Sequence, residues 1–214
     1  MSSIPISPLT GKEMTWIVIC YALGNITAGY YWVRWRTGLD LRRVGSGNVG
    51  ARNAGRVAGA SAFLVTLLCD VAKGALAVWL ANYFRLSSEG TVACILAVVV
   101  GHNWPIQLRF HGGKGVATSI GAILAFDPWA GLVLLLTFLP LWGVVRSFIL
   151  SGLLAFGITP LVLFFLGFGN PVIAAVSFLA ILMLVTHRKN IREEIARMWL
   201  NRTLKHSSND KDKS

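Results

Sequence analysis

The chain has 214 residues, of which 55% are hydrophobic and 14% are charged. Soluble domains carry about 25% charged residues, so this composition excludes an ordinary soluble protein and predicts an integral membrane protein. The formal net charge of +11 favours anionic partners. In so hydrophobic a chain, lipid headgroups and phosphorylated small molecules are better candidates than nucleic acid. The cysteines lie inside apolar runs and predict neither a disulfide framework nor a metal site.

Apolar runs predict seven transmembrane helices. A spanning helix needs about 20 mostly apolar residues, and residues 14–33, 57–84 and 91–108 each approach that length. The nearly uncharged stretch 116–186 fits four helices of about 18 residues better than two of about 35. Turn signals at 127–128, 143–147 and 167–171 support four. The predicted fold class is therefore an all-α membrane bundle, in which the fourth helix, 116–126, is short or partly re-entrant.

Basic residues are concentrated on one predicted side of this bundle. The loop after the first helix holds six arginines, and positive charge also follows the third and seventh helices. The positive-inside rule places these segments in the cytoplasm, with the N-terminus outside and the C-terminus in the cytoplasm, which requires an odd helix count. Residues 14–33 lack a basic flank and a small-residue cleavage site, so we expect a retained helix and not a signal peptide.

The domain organisation follows from the same pattern. Residues 1–191 form a single predicted membrane domain, with neither an internal repeat nor a linker in the sequence. Residues 192–214 form a basic cytoplasmic tail. The first part of this tail could lie on anionic lipid, and its polar end is expected to be disordered.

The first polar segment is glycine-rich and reads GSGNVGARNAGR at 45–56. Its first half matches the dinucleotide-binding pattern G-x-G-x-x-G, but that pattern requires a preceding strand, and here it follows a predicted transmembrane helix. A loop of small residues that helps helices to pack is a second interpretation. The third is a phosphate or polyol site, because arginine binds phosphate through two parallel hydrogen bonds. The candidate binding residues are Ser46, Asn48, Asn53 and Arg56.

The second polar segment, HGGKGVATS at 111–119, leads directly into an apolar helix. It is not a Walker A motif, because Lys114 is followed by glycine instead of Ser or Thr. Glycines allow a ligand to approach the backbone closely, and the N-terminus of the following helix favours an anion. Thr118 and Ser119 add hydroxyl groups in the first turn. An interfacial loop with a snorkelling lysine is the alternative.

Two further pairs of polar residues are each three positions apart and therefore share a helix face. Asp70 and Lys73 lie within a predicted membrane helix, where charges are costly and usually face a cavity or each other. An ion pair that braces the bundle and a catalytic role both remain open. His187 and Asn190 lie where the seventh helix meets the cytoplasm. His187 could have either a structural or a functional role, and the same two alternatives are open for His102.

Together these segments resemble the bacterial acyl-phosphate:glycerol-3-phosphate acyltransferase family (PlsY). Five blocks match in order and at compatible spacing, which makes the resemblance specific. They are GSGNVGARNAGR at 45–56, DVAKG at 70–74, GHNWP at 101–105, GGKGVATSIG at 112–121 and HRKNI at 187–191. Four positions, at three places in the chain, depart from the family pattern. Arg52 stands where many members have Thr, Glu193 replaces an Arg, and Val144-Val145 replaces the usual Arg-Tyr near Ser147.

The resemblance implies a seven-helix enzyme of the bacterial plasma membrane, with its active site facing the cytoplasm. Its expected reaction transfers an acyl group from acyl phosphate to the 1-hydroxyl of glycerol 3-phosphate, giving lysophosphatidic acid and phosphate, the first step of phospholipid synthesis. We expect no cofactor, no metal and no nucleic acid. A soluble enzyme that makes acyl phosphate is a further candidate partner, beside the lipid bilayer.

The motifs and the resemblance together predict individual site residues. The predicted catalytic residues are Arg56, Lys114 and His187. The predicted substrate-binding residues are Ser46, Asn48, Asn53, Gly112, Gly113, Gly115, Thr118, Ser147 and Asn190, and the predicted supporting residues are Asp70, Lys73 and His102.

The chemistry agrees with these residues. An acyl phosphate is already activated, so the acceptor hydroxyl needs mainly orientation and charge stabilisation. We expect the loop 112–115 to hold the acyl phosphate, while Ser46, Arg56, His187 and Asn190 position glycerol 3-phosphate. The leaving phosphate can accept the hydroxyl proton, and His187 is the rival general base.

Two other classes of protein remain as alternatives. An organic-phosphate transporter would also use basic loops, but usually shows inverted repeats. A structural scaffold would not need glycine loops and cations to converge.

Overall fold

The computed structural model describes residues 9–211, with the side chains of residues 9–196 and Trp199. This part of the chain folds into eight α-helices and one short 3₁₀-helix, and it contains no β-strand. The α-helices are α1 (Gly11–Gly24), α2 (Ala28–Thr37), α3 (Ala51–Tyr83), α4 (Ser88–Asn103), α5 (Val116–Phe126), α6 (Pro128–Val145), α7 (Phe148–Phe165) and α8 (Asn170–Lys211). The 3₁₀-helix, Ile106–Leu108, lies between α4 and α5.

The protein has a lipid-compatible exterior. Five of the described helical segments are long and apolar enough to cross a membrane: Ala51–Tyr83, Ser88–Leu108, Pro128–Val145, Phe148–Phe165 and Asn170–Ala196. Large apolar side chains point outward from them, such as Leu136 at 58% exposure and Phe165 at 77%. Such a surface would be unfavourable in water but is the natural surface in hydrocarbon. The all-α membrane class is thus confirmed, while the count of seven passes and the sides of the termini stay predictions.

The prediction of a single first helix at 14–33 is wrong, because the chain forms α1 and α2 with a break at 25–27. The side-chain amide of Asn25 donates to the carbonyl of Tyr21 at 3.1 Å. From α3, the ammonium of Lys73 donates to the carbonyls of Gly24 at 3.3 Å and Ile26 at 2.8 Å. A helix end leaves carbonyl groups without helical partners, so these donors stabilise the break.

The second predicted helix begins earlier than expected and is bent. α3 starts at Ala51 instead of residue 57, and its backbone is non-helical at Ala58 and at Gly59, where φ is +81°. The bend separates a short first section, 51–57, from the long apolar section that follows. The short section therefore carries Asn53 and Arg56 beside the loop that precedes it.

The remaining helices follow the predicted turn signals. α5 has the predicted bounds, and Asp127 begins α6 by accepting hydrogen bonds from the amides of Trp129 and Ala130. Ser147 caps α7 in the same way through the amide of Leu150. These side chains satisfy amide groups that have no partner in the first helical turn.

α8 continues without interruption to Lys211, so residues 192–211 of the predicted tail are helical. Its position on the membrane surface stays a prediction. The last residues of the end that was expected to be disordered, 212–214, lie outside the described part of the chain.

Small residues bring the central helices close together. Gly24 of α1 packs on Gly101 of α4, and Gly74 of α3 packs on the backbone of Thr118 in α5. Close backbone approach at small residues is typical of membrane helices. The contacts between α3, α4 and α5 place the loops at their ends beside one another.

Candidate active site

The side chain of Asn53 organises the first glycine loop. Asn53 is only 3% exposed. Its amide nitrogen donates to the carbonyls of Leu41, Val44 and Asn48 at 3.3, 3.0 and 2.9 Å, and its oxygen accepts from the amide of Ser46 at 2.8 Å. With all of these bonds made inside the protein, Asn53 shapes the loop. Ser46 itself is exposed.

Gly45 shows why this loop needs glycine. Its φ is +61°, and a Cβ atom there would collide with the side-chain oxygen of Asn53. Left-handed backbone is inexpensive only for glycine. Asn48 adds a local turn, since its side-chain oxygen accepts from the amide of Gly50 at 2.7 Å.

Arg42 joins the first loop to the second. Its guanidinium forms an ion pair with Asp40 at 2.6 Å and donates to the carbonyl of Leu108 at 3.2 Å. The hydrogen bond from Arg42 lowers the pKa of the Asp40 carboxyl to about 2. The guanidinium carbon also lies 5.2 Å from the ring centroid of Tyr30. Arg42 therefore connects two loops that are far apart in sequence.

The second glycine loop, 112–115, is built on the end of α4. The amide of Gly112 donates to the carbonyl of Asn103 at 3.1 Å, and the amide of Gly113 donates to that of His102 at 3.0 Å. A Cβ atom at Gly113 would overlap the imidazole ring of His102. The loop can take this path only with glycine at 113, because the ring occupies the space of a side chain.

A buried charged cluster supports this loop from below. The ammonium of Lys73 lies 2.7 Å from the carboxylate of Asp70 and 2.7 Å from Nδ1 of His102. The carboxylate of Asp70 lies 3.4 Å from the same His102 nitrogen. All three residues are 5% exposed or less. Buried charges are tolerated when they are paired, so this cluster is a brace that links α3 and α4 to the second loop.

The side chain of Lys114 reaches α8 across the loop. Its ammonium donates to the side-chain oxygen of Asn190. The hydroxyl of Thr186 donates to the main-chain carbonyl of Lys114 at 3.2 Å. Both ends of Lys114 are thus held by α8, and the predicted Lys114 and Asn190 lie together.

His187 is held one turn of α8 away from Asn190. It is 7% exposed, and its Nδ1 lies 2.9 Å from the carbonyl of Met183. A carbonyl only accepts, so we assign the proton of the neutral ring to Nδ1. Nε2 is then the ring atom that can accept a hydrogen bond from a substrate hydroxyl.

Burial lowers the pKa of the Lys114 ammonium below the ordinary lysine value of 10.5. The carboxylate of Glu193 acts in the opposite direction, while the charges of Arg52 and Lys189 lower the pKa further. An ammonium in such surroundings gains free energy when an anion binds beside it. These surroundings favour a phosphate group at Lys114.

The other predicted site residues differ in how they are placed. Arg56 is exposed on the first section of α3. Ser147 is the cap of α7, and its hydroxyl donates to the carboxylate of Glu194 in α8 at 3.3 Å. Thr118 is fully buried where α5 meets α3. It therefore packs the helices together and lies away from the surface of the loop.

The list of predicted site residues does not include Arg42, Asn103 and Thr186, which hold the loops in place. Asn103 and Thr186 adjoin His102 and His187 in sequence, so their position beside motif residues was a usable signal. Arg42 offered no such signal, because it is one of several arginines in its loop.

The glycerol-3-phosphate acyltransferase family model matches residues 14–197. Glycerol-3-phosphate acyltransferase 1 of Desulfitobacterium hafniense is 43% identical over 182 residues, which cover 85% of this chain and 90% of that protein. A protein of the same name from Bacillus cereus is 33% identical, and the matched residues cover 85% of this chain and 97% of that protein.

Solved structures agree with these sequences. The glycerol 3-phosphate form of PlsY (YgiH), an integral membrane glycerol 3-phosphate acyltransferase, superposes with a TM-score of 0.78 at 33% identity, covering 87% of this chain and 93% of that one. The lysophosphatidic acid form of the same protein superposes with a TM-score of 0.75 at 30% identity, and it covers the same shares of the two chains. The chain therefore belongs to the glycerol-3-phosphate acyltransferase family and is a multi-pass membrane enzyme of phospholipid biosynthesis.

Proposed function

We propose that this enzyme takes its acyl group from acyl phosphate and transfers it to the 1-hydroxyl of glycerol 3-phosphate, giving lysophosphatidic acid and phosphate. The observation that carries the proposal is the meeting of the 112–115 loop, Lys114 and Asn190 at one place. The ammonium of Lys114 and the first-turn amides of α5, which have no helical partner, suit a small phosphate-bearing donor. Similar solved structures exist in glycerol 3-phosphate and lysophosphatidic acid forms, which supports the acceptor and the product.

The reaction needs little covalent help from the protein. The hydroxyl oxygen of glycerol 3-phosphate attacks the carbonyl carbon of the acyl phosphate, and the bond from that carbon to the phosphate oxygen breaks. The hydroxyl proton goes to the departing phosphate, so atoms and charge balance. Lys114 and the first-turn amides of α5 stabilise the negative charge that develops on this phosphate.

We further propose that α8 and the first section of α3 hold the acceptor. Nε2 of His187 accepts a hydrogen bond from the glycerol, and Ser46, Arg56 and Asn190 bind its phosphate. Bringing both substrates together in this way supplies much of the rate, because the reaction becomes effectively unimolecular. His187 is the rival general base, and its role is tested below.

We propose that this site faces the cytoplasm of a bacterial plasma membrane. The start of α1 and the start of α4 meet on one side, where the carboxylate of Glu13 accepts from the hydroxyl of Ser87 at 2.5 Å. The basic loops meet on the other side through Arg42 and the carbonyl of Leu108. The positive-inside rule favours the cytoplasm for the second side. A soluble enzyme that makes acyl phosphate would then deliver the donor there.

The donor is tested with purified enzyme and labelled glycerol 3-phosphate. We expect labelled lysophosphatidic acid with palmitoyl phosphate and none with palmitoyl-CoA. Product from palmitoyl-CoA alone would contradict the proposed donor, whereas product from neither in folded protein would contradict the whole proposed reaction.

A further inference from the structure

Arg52 is a positively charged residue near the site, and it has no role in the reaction proposed above. It lies in the first turn of α3 and is exposed. Its guanidinium carbon lies 5.5 Å from the ring centroid of Phe148, at the start of α7. A cation above an aromatic ring at this distance is attracted to it. Phe148 therefore holds the side chain of Arg52 while leaving its hydrogen-bond donors available.

Arg52 acts electrostatically on Lys114. Its charge is one of the causes that lower the pKa of the Lys114 ammonium, and Glu193 acts in the opposite direction. Arg52 on α3 and Glu193 on α8 therefore influence the same lysine.

An apolar groove of about 460 Å³ is lined by Arg52, Gly55, Ala60, Phe63 and Leu64. We name it the α3 groove. It lies at the bend of α3, whose backbone is non-helical at Ala58 and Gly59. A Cβ atom at Gly55 would lie 2.8 Å from Phe63, so glycine brings the two sections of α3 close.

The α3 groove opens toward the lipid-facing side of the protein. Leu64, one of its lining residues, is 53% exposed. A cation among otherwise apolar walls matches a molecule with an anionic head and an apolar tail. Glycerol 3-phosphate has no such tail, whereas a long-chain acyl phosphate has both parts.

We propose that Arg52 and the α3 groove bind the acyl donor, with Arg52 on its phosphate and the groove around the first part of its acyl chain. The rest of the chain extends into the bilayer. Arg52 is then a donor-specificity residue of this enzyme, beside Lys114. This inference rests on the proposed function, since it assumes that the donor is an acyl phosphate.

The test compares steady-state kinetics of four enzymes with palmitoyl phosphate and with the short donor butanoyl phosphate. They are the wild type, Arg52→Thr, Leu64→Trp and the control Leu161→Trp. Leu161 is a lipid-facing residue of α7 with 59% exposure, so its exchange controls for a large aromatic side chain on the membrane surface. Gel filtration and circular dichroism verify that each variant is folded.

For Arg52→Thr we expect the KM of both donors to rise by about tenfold, because a charge-assisted hydrogen bond is lost. The KM of glycerol 3-phosphate should not change. For Leu64→Trp we expect a several-fold rise for palmitoyl phosphate and none for butanoyl phosphate, because the filled groove excludes only the long chain.

Unchanged donor KM values in Arg52→Thr would overturn the inference, and so would a rise confined to glycerol 3-phosphate. Equal effects of Leu64→Trp and Leu161→Trp would exclude the groove as the path of the chain. These outcomes require an active wild type, so failure of the proposed function is recognised separately. In that case the wild type itself forms no product from either acyl phosphate.

Discussion

At Lys114, groups from three parts of the chain meet: the glycine loop, α8 and the first turn of α3. The side chain of Asn190 accepts a hydrogen bond from the ammonium of Lys114. The charge of Arg52 lowers the pKa of this ammonium, and the charge of Glu193 raises it. Because the lowered pKa belongs to the free enzyme, protonated Lys114 is lost as the pH rises through a value below 10.5. We therefore expect the proposed site to bind phosphate best on the acidic side of that pKa.

This gives a prediction for the pH dependence. The value of kcat/KM for palmitoyl phosphate should fall at alkaline pH with an apparent pKa below 10.5. In Lys114→Arg the alkaline fall of kcat/KM should move to higher pH, because a guanidinium stays charged. The value of kcat should also be lower, since the geometry of a guanidinium differs from that of an ammonium. Rates are corrected for spontaneous donor hydrolysis at each pH. An alkaline limb at the same pH in both enzymes would show that another group titrates.

His187 gives a second prediction at this scale. If the departing phosphate accepts the proton, His187→Ala should raise the KM of glycerol 3-phosphate and lower kcat by about 10²-fold, a value within the range for a positioned group. The acidic limb of its pH–rate profile should remain. Loss of that limb in the variant, with the limb present in the wild type, would instead identify His187 as the general base.

Single residues were predictable from the sequence only as candidates. Asn53 and Ser46 both appear as polar residues in a glycine-rich segment, yet Asn53 binds its own loop while Ser46 is exposed. Thr118 precedes Ser119 in the first turn after the loop, yet it is buried against α3. The direction of a side chain depends on what packs around it, and the motif does not contain that information.

Among the structural elements, the second glycine loop depends most on its neighbours. Gly113 lies directly against the ring of His102, and Asp70 and Lys73 hold that ring from the other side. The position of the loop is therefore set by Asp70, Lys73 and His102, which contribute no atom to the reaction itself.

Gly113→Ala should displace the loop from His102 and lower kcat/KM for the donor by about 10²-fold, because misplaced groups of this kind have effects of that size. Gly157→Ala is the matched control, since a Cβ atom there has no neighbour within 4 Å among the described residues. Activity of Gly113→Ala equal to that of Gly157→Ala would contradict the close packing of the loop on His102.

The buried cluster makes a prediction about stability. Lys73→Met should lower the thermal unfolding midpoint in detergent strongly, because Asp70 is then left with only His102 beside it and breaking a buried ion pair costs about 3–5 kcal/mol. The double variant Asp70→Asn with Lys73→Met should recover part of that loss, since the uncompensated charge is gone. A double variant that is no more stable than Lys73→Met would show that Asp70 and Lys73 contribute independently.

Element boundaries were predictable where the signal is local. The start of α6 follows from Asp127-Pro128, and the bounds of α5 agree with the sequence. The break between α1 and α2 was missed because Lys73, which satisfies its carbonyls, lies on another helix. The bend of α3 was missed as well, since glycines are frequent within membrane helices and need not bend them.

At the scale of the whole molecule, the composition of the sequence predicts a membrane protein. The spacing of the basic residues predicts that they lie on one side of the membrane. The sequence does not by itself bring Lys114 to Asn190, which are 76 positions apart. Only the ordered set of motifs indicated that these residues share a site. The fold then explains how: α8 returns to the end of α4, where the second loop begins.

The whole arrangement places the proposed phosphate-binding residues at one end of a bundle whose sides are open to lipid. Such a shape suits an enzyme with one water-soluble substrate and one membrane-bound product. The α3 groove would connect the two environments, because its lining includes both Arg52 and a leucine on the lipid-facing surface.

The most direct test of this account is the rate of lysophosphatidic acid formation from palmitoyl phosphate by the wild type and by Lys114→Ala, purified in parallel. We predict product from the wild type and a rate lower by about 10²–10³-fold in the variant, the usual effect of removing one charge-stabilising donor. An equal rate in folded Lys114→Ala would contradict the proposed site, and no product from the folded wild type would contradict the proposed donor.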